Sequence, residues 1–153
     1  MAEPLSITAG IIAVLQLTAK AVQYLNDVKD APTDRQQILI EISTVSGFLH
    51  TLKDLAERMQ PGNAHLAAMR SLNVPNGPLE QFKSALERLV SKLKPAHGLR
   101  KVATALTWTL DKGEVNSILS KIERQKALFL LALQNDHMLA STLVFHEKQV
   151  LVV

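Results

Sequence analysis

The sequence PLEQFKSALERLVSKL, residues 78–93, places a hydrophobic side chain at every third or fourth position, with polar side chains between them. This spacing is the period of an α-helix with one apolar face. Pro78 suits the first helical position, where its missing N–H would have no partner, and Lys94-Pro95 interrupts the pattern. The segment therefore predicts a core-facing helix, with buried positions at Leu79, Phe82, Leu86, Leu89 and Leu93.

Two long helices are predicted before this segment. The first begins with Ser6 as its N-cap and runs to about Val28, before Pro32 stops it. Thr33 and Gln36 have the spacing of a capping box, so they are predicted to open the second helix. The second helix carries an apolar stripe in alternating steps of four and three residues, formed by Ile38, Ile42, Val45, Leu49 and Leu52. We expect this stripe to face the core.

The last long helix is predicted to begin at a second capping box. Asp111 and Glu114 have the required spacing, and the apolar pattern continues through Leu133 and toward the 140s. Residues 128–133 are apolar on every side of a helix, so they lie either in the centre of the bundle or beneath a partner on their outer face. We expect residues 128–133 to be buried in the centre of the bundle.

Composition supports one all-α domain over residues 1–153. The 153 residues are 47% hydrophobic and only 4% aromatic, and helix-forming residues recur throughout the chain. Four long amphipathic helices joined by short breaks pack most simply as an up-and-down bundle. Short helices at about 64–72 and 99–109, the second carrying Trp108, complete the predicted fold.

The charged residues give little sign of nucleic-acid binding. The net charge is +3, but the basic residues are interleaved with acids and lack the aromatic residues that stack on bases. The densest basic region, opposed only by Glu87, consists of Lys83, Arg88, Lys92, Lys94, Arg100 and Lys101. We interpret it as a solvated helix face and keep anionic lipid headgroups as an alternative partner. No nucleic-acid partner is predicted.

The first helix has an unusual apolar half, since no charged side chain occurs from Pro4 to Ala19. Its hydrophobic residues, spread around the whole helix, are Leu5, Ile7, Ile11, Ile12, Val14, Leu15 and Leu17. Sixteen residues span about 24 Å, less than the ~30 Å hydrocarbon core of a bilayer. The seven aliphatic residues contribute about −3 kcal/mol to insertion, partly cancelled by polar neighbours. We expect this helix to lie in the core in the resting state, and conditional insertion into a membrane in an activated state stays open beside permanent burial in the core.

Catalytic and metal-binding patterns are weak. His50-Thr51-Leu52-Lys53 has the order of a histidine phosphotransfer site, but Asp54 would repel a phosphoryl group on His50. The other histidines are isolated, and no pair has the helical spacing of two metal ligands. Cysteine is absent, which excludes disulfides and thiolate chemistry and fits a reducing, cytoplasmic location. We predict no enzyme activity, no metal and no cofactor.

Six segments carry a resemblance to a known family. They are GIIAVLQL at 10–17, YLNDVKDAP at 24–32, IEISTVSGFLHTLKDLAER at 40–58, SLNVPNGPLEQFKSALERL at 71–89, LTWTLDKGEV at 106–115 and IERQKALFLLALQNDH at 122–137. In this order they resemble the fungal N-terminal domain of STAND proteins, the HeLo-like family found in fungal NOD-like receptors. The resemblance covers about residues 1–138, and residues 139–153 form a more apolar extension than the family leads us to expect.

The resemblance implies a signalling bundle placed ahead of a NACHT or NB-ARC module. Such a domain acts by self-association when its receptor oligomerises, and relatives are associated with membrane perturbation, innate immunity and the programmed cell death of heterokaryon incompatibility. The segment Leu5 to Leu17, matching the family's hydrophobic first helix, would be the membrane-active part, recruiting a cytoplasmic domain to an anionic membrane on activation. The alternative is a soluble homotypic interaction module, and histidine phosphotransfer is a distant third hypothesis.

Overall fold

The computed structural model describes the backbone of residues 3–28, 30, 32–59, 65–93 and 108–152. Side chains are described for the same residues except 3–5, 65, 66, 68 and 135–152. These parts of the chain are helical and contain no β-strand. The all-α fold predicted from the sequence is therefore confirmed.

Four long helices and two short helical segments make up the described chain. They are α1 (Glu3–Asp27), α2 (Pro32–Arg58), α3 (His65–Arg70), a 3₁₀ turn (Ser71–Asn73), α4 (Pro78–Leu93) and α5 (Lys112–Val152). The short helix predicted near 64–72 corresponds to α3 and the 3₁₀ turn. Most of the helix predicted at 99–109 lies outside the described residues, and Trp108 and Thr109 at its end are not helical.

Long-range contacts show the arrangement of the four long helices. Helix α1 packs against α2 and α4, and α5 packs against the same two helices, so α1 and α5 lie at opposite corners. Ion pairing of Lys112 with Asp34 at 2.8 Å places the beginnings of α5 and α2 side by side. Pairing of Lys92 with Glu114 at 2.7 Å places the end of α4 beside the beginning of α5. Successive long helices thus alternate in direction, as in an up-and-down bundle.

The predicted apolar stripes form the centre of this bundle. All five stripe residues of α2 are fully buried, and the five predicted on α4 are at most 4% exposed. Phe82 of α4 meets Phe129 of α5 edge to face, with ring centroids 6.1 Å apart. Burial of these side chains is the main stabilising contribution to such a fold, at about 1.5–3 kcal/mol for each large side chain.

Two predicted helix starts lie two to four residues too late. Ser6 is not an N-cap, because α1 begins at Glu3. Thr33 does not precede α2, because that helix begins at Pro32. In both helices a proline, Pro4 or Pro32, lies in the first turn, where its missing N–H costs no hydrogen bond and its fixed φ favours the helix. Prolines in the first turn are therefore compatible with these starts, and the hydroxyl residues that follow lie inside the helices.

The predicted start of α5 is confirmed in atomic detail. The backbone N–H of Glu114 donates to Asp111 Oδ1 at 2.7 Å, and the backbone N–H of Asp111 donates to Glu114 Oε1 at 3.2 Å. This reciprocal pair is a capping box, which gives partners to N–H groups that the helix itself cannot satisfy. Helix α5 starts at the next residue, Lys112, and runs for 41 residues, against 27 for α2.

Central burial of residues 128–133 is wrong. Phe129 is fully buried and Ala132 is 7% exposed, but Leu128, Leu130 and Leu131 are 37%, 39% and 51% exposed. The reason is that α5 packs mainly against α2 and α4, with a smaller contact to α3, so the leucines that do not point toward these helices stay partly open within the described chain. An all-round apolar helix in this position leaves a leucine-rich outer face, which we call the α5 leucine face (Leu128, Leu130 and Leu131).

Candidate functional surfaces

The apolar half of α1 contributes mainly to the core. Ile7, Ile11 and Val14 are at most 3% exposed, Leu15 and Leu17 are half-buried, and Ile12 is 36% exposed. The side chain of Leu5 lies outside the described residues. Six of the seven residues proposed as membrane-active have described side chains, and among these six only Ile12 is exposed. The resting position of α1 is therefore that of a core helix, as the sequence predicted, but the expected core position of Ile12 is wrong.

Polar groups on α1 are accommodated inside the bundle. The hydroxyl of Thr18 is buried and donates to the carbonyl oxygen of Val14 at 2.8 Å, which satisfies it within the helix. Gly10 lies against the 3₁₀ turn so closely that a Cβ there would come within 2.9 Å of Asn73 Oδ1. Residues 6–27 are apolar and long enough to cross a membrane, although a buried core helix has the same properties. Composition alone thus leaves both states of α1 open.

The basic residues singled out from the sequence form only part of a surface. Lys83, Arg88 and Lys92 are exposed on α4, whereas Lys94, Arg100 and Lys101 lie outside the described residues. Glu87 is the one acid within this stretch of sequence, and the fold adds a second acid, because it brings Glu114 of α5 to Lys92. Glu114 is 22 or more residues away in the sequence from each of the three α4 cations, so its pairing could not be recognised before the helices were packed.

Electrostatics at this contact favour the charged form of Glu114. The hydrogen bond from Lys92 lowers the pKa of Glu114 from its ordinary value of 4.5, the backbone N–H of Asp111 lowers it further, and the charge of Arg88 acts in the same direction. Opposite charges and hydrogen bonds to a carboxylate both favour ionisation. Lys92 is therefore partly neutralised where α4 meets α5, which reduces the positive surface available to an anionic membrane.

A groove between the beginning of α4 and the middle of α5 was not predicted. It has a volume of about 480 Å³ and is lined by Asn76, Gly77, Pro78, Gln81, Ser117, Ser120, Lys121, Arg124, Gln125 and Leu128. The lining contains two cations and no acid. The sequence showed the turn before Pro78 and the three-residue spacing of Lys121 and Arg124, but only the antiparallel packing of the two helices brings these features together.

The turn at the α4 end of this groove is tightly built. Asn76 has a φ of 60°, in the left-handed region that asparagine tolerates better than most residues. Its backbone N–H donates to the carboxylate of Glu80, and the next N–H, that of Gly77, donates to the carbonyl oxygen of Val74 at 2.9 Å. A Cβ on Gly77 would lie 2.7 Å from Val74 Cγ2. This turn therefore holds the first residue of α4 in place.

The weak catalytic pattern gains no supporting geometry. His50 is exposed on α2, as expected from its position outside the buried stripe. Lys53, which would have to offset a phosphoryl charge, instead pairs with Glu57 at 3.0 Å, and this hydrogen bond raises the pKa of Lys53. Within the described ranges, no group of three or more potential metal ligands occurs. The surfaces described above are thus the candidates for function.

Comparison with known proteins identifies no relative. No protein-family model, curated protein or solved structure matches this chain. The likeness of six sequence segments to the HeLo-like family therefore stays a prediction. What the fold defines is a class, an all-α bundle of four long helices with one apolar helix in its core and a leucine face on its longest helix.

Proposed function

We propose that this chain is the N-terminal signalling domain of a fungal STAND receptor, which acts by self-association and then by perturbing a membrane through α1. The observation that carries the proposal is the dual character of α1. This helix belongs to the core of the bundle, yet residues 6–27 are long and apolar enough to cross a bilayer. A helix of this kind has two environments of similar free energy, protein core and lipid.

Thr18, a buried polar residue of α1, is compatible with both environments. Thr18 satisfies its hydroxyl with the carbonyl of Val14 on the same helix, so the bond is kept when the helix leaves the bundle. In a bilayer, each backbone polar group must likewise find its partner within the helix. Moving α1 from the bundle core into a bilayer therefore leaves no hydrogen-bonding group of the Thr18 side chain without a partner.

A soluble homotypic interaction module is the second candidate, and the α5 leucine face favours it. Three large apolar side chains that lie partly open on one helix are typical of a surface that binds another protein. On this second interpretation α1 stays in the core in every state. The two candidates share self-association and differ in what happens to α1 afterwards.

The test is release of a trapped dye from anionic liposomes by the folded chain, alone and when oligomerised through a fused coiled coil. Membrane perturbation predicts leakage that appears on oligomerisation. Complete retention of dye by confirmed, fully helical oligomers would overturn the membrane step and favour the soluble module.

Ile12 offers a variant that separates membrane insertion from folding. Because Ile12 is already 36% exposed, Ile12→Asn leaves the buried stripe of α1 intact but places a polar amide on a helix that must enter lipid. Its matched control is Ile40→Asn on α2, where the side chain is 53% exposed. We expect reduced leakage from Ile12→Asn and unchanged leakage from Ile40→Asn. Equal leakage from both variants would exclude α1 as the inserting helix.

A further inference from the structure

We infer that the groove between the beginning of α4 and the middle of α5 binds a phosphate group. Its two cations, Lys121 and Arg124, lie three residues apart on α5, a spacing that puts them on the same side of the helix. Both are exposed. Within the described chain neither forms an ion pair, unlike Lys112 and Lys126 of the same helix, which are held by acids of α2. Lys121 and Arg124 are therefore available to a ligand.

Gln125 is the second, independent observation that points to a ligand. Its side chain is only 3% exposed, and it lines the groove. Among the residues that the structure describes, none forms a hydrogen bond with its amide. Neither amide atom of Gln125 is among the fully enclosed side-chain atoms that lack a partner in the described chain, which are Arg35 Nε and Trp108 Nε1, so the amide keeps some contact with the open groove. An oxygen-rich ligand in the groove would accept a hydrogen bond from its NH₂ group.

The beginning of α4 adds a favourable field. This helix has 16 residues, and Pro78 at its start lines the groove. The aligned peptide dipoles of a helix place a partial positive charge at that end, where anions bind. The nearest acid of α4, Glu80, accepts a hydrogen bond from the backbone N–H of Asn76 and is not part of the groove lining.

The donors fit a phosphate better than a carboxylate. A phosphate monoester carries close to two negative charges at neutral pH, which matches two unpaired cations, whereas a carboxylate would leave one cation uncompensated. The planar guanidinium of Arg124 can bind two oxygens of one phosphate, while Lys121 contributes a point charge. Ser117 and Ser120 add hydroxyl donors along the same wall.

The groove is larger than a phosphate and has an apolar end. Its volume of about 480 Å³ leaves room for an organic part of the ligand, and Leu128 of the α5 leucine face forms that end of the lining. The ligand class is therefore a phosphomonoester with an attached organic group. A soluble metabolite and a lipid headgroup both present this chemistry, and the experiment must tell them apart.

The test titrates the full, ¹⁵N-labelled 153-residue chain with inorganic phosphate and with glycerol 3-phosphate. NMR spectra are recorded at constant ionic strength, with chloride as the reference anion. We expect saturable shifts of the Gln125 side-chain NH₂ signals and of the amides of Lys121 and Arg124, with the rest of the spectrum unchanged. Shifts that are absent, unsaturable or equally large with chloride would overturn the site.

Variants assign the binding to the groove. Arg124→Gln removes a positive charge and the two-oxygen contact, and Gln125→Met removes an amide donor at similar side-chain size. Gln125→Met is expected to weaken phosphate binding about tenfold, the loss typical of one hydrogen bond to a charged group, and Arg124→Gln at least as much. Lys83→Gln, which removes an exposed cation of α4 outside the groove, is the matched control and should bind as the wild type does. Equal weakening in all three variants would show that net charge, and not the groove, attracts the anion.

A second arm identifies the source of the phosphate. Phosphatidylcholine vesicles with and without phosphatidic acid are added to the chain saturated with glycerol 3-phosphate. Displacement of glycerol 3-phosphate from the Gln125 signals only by vesicles that contain phosphatidic acid would assign a lipid headgroup. Retention of the soluble ligand would assign a soluble phosphomonoester. The readout is independent of dye release, so failure of the membrane step and failure of this site are distinguishable.

Discussion

Phe82 of α4 and Phe129 of α5 meet edge to face, with ring planes at 86° and centroids 6.1 Å apart. Both rings are fully buried. Edge-to-face aromatic pairs contribute about 0.5–1.5 kcal/mol beyond the burial of their surface. This contact determines which face of α5 points inward, and it consequently turns Leu131, two residues further along, toward the outside.

Replacing Phe129 with alanine is expected to destabilise the bundle by about 3–5 kcal/mol, because the change removes a fully buried ring and leaves a cavity. Leu131→Ala, at a side chain that is 51% exposed, is the control and should change the free energy of unfolding by less than about 1 kcal/mol. Urea denaturation followed by circular dichroism measures both. Similar losses for the two variants would mean that the inward face of α5 is assigned incorrectly.

Acidification should weaken the start of α5 through Glu114. The pKa of this carboxyl is lowered in the folded protein, first by the hydrogen bond from Lys92, so its ionised form stabilises the fold above about pH 4.5, the ordinary value. This contribution is lost as the pH falls from there through the lowered pKa. We therefore expect Glu114→Gln to flatten the fall in unfolding free energy in that acid range.

The control for this pH effect is Glu87→Gln, at an exposed acid of α4. Urea denaturation repeated from neutral pH down to the acid range compares the three proteins. Glu87→Gln should keep the acid dependence of the wild type, and an unchanged slope in Glu114→Gln would contradict the role of the Lys92 contact.

Two glycines give opposite predictions for the same substitution. Gly77→Ala should destabilise the fold by about 1–3 kcal/mol, because its Cβ would lie 2.8 Å from the carbonyl oxygen of Val74, which is backbone and cannot move aside cheaply. Gly47→Ala, on the exposed side of α2 with nothing within 4 Å of the new Cβ, should stabilise it by about 0.5–1 kcal/mol. Thermal unfolding of the two variants checks both signs, and a stabilised Gly77→Ala protein would contradict the described turn.

Local sequence patterns predicted those parts of the fold that depend on local chemistry. The Asp111–Glu114 capping box formed because both partners lie on one turn of chain. Ser6 and Thr33 failed as helix starts because Pro4 and Pro32 precede them, and a proline in the first turn lets the helix begin earlier. The steps of three and four residues between apolar positions identified the buried stripes of α2 and α4, because each of these helices has one apolar face and one polar face.

The surfaces were harder to predict because they depend on which helices become neighbours. The run at 128–133 is apolar all round, and its pattern alone does not reveal which of its leucines stay partly open. Likewise, Lys121 and Arg124 line a groove only because the folded chain places the start of α4 beside them. Both surfaces arise from contacts between helices, which a single sequence does not contain.

The α5 leucine face should mediate the self-association that both candidate functions require. Leu131→Lys places a charge at its most exposed position, where burial against a second copy would leave that charge without a partner. We expect this variant to sediment as a monomer at concentrations where the wild type associates, with unchanged helicity. Ile40→Lys, at an exposed isoleucine of α2, is the matched control and should associate normally.

Sedimentation of the two lysine variants also decides how association relates to membrane perturbation. If Leu131→Lys stays monomeric but a fused coiled coil restores dye release, the leucine face acts only in assembly, and α1 acts on the membrane. If the fused oligomer of this variant fails to release dye although the wild-type oligomer does, the leucine face itself contacts lipid. Association of Leu131→Lys equal to that of the wild type would instead require a different surface for self-association.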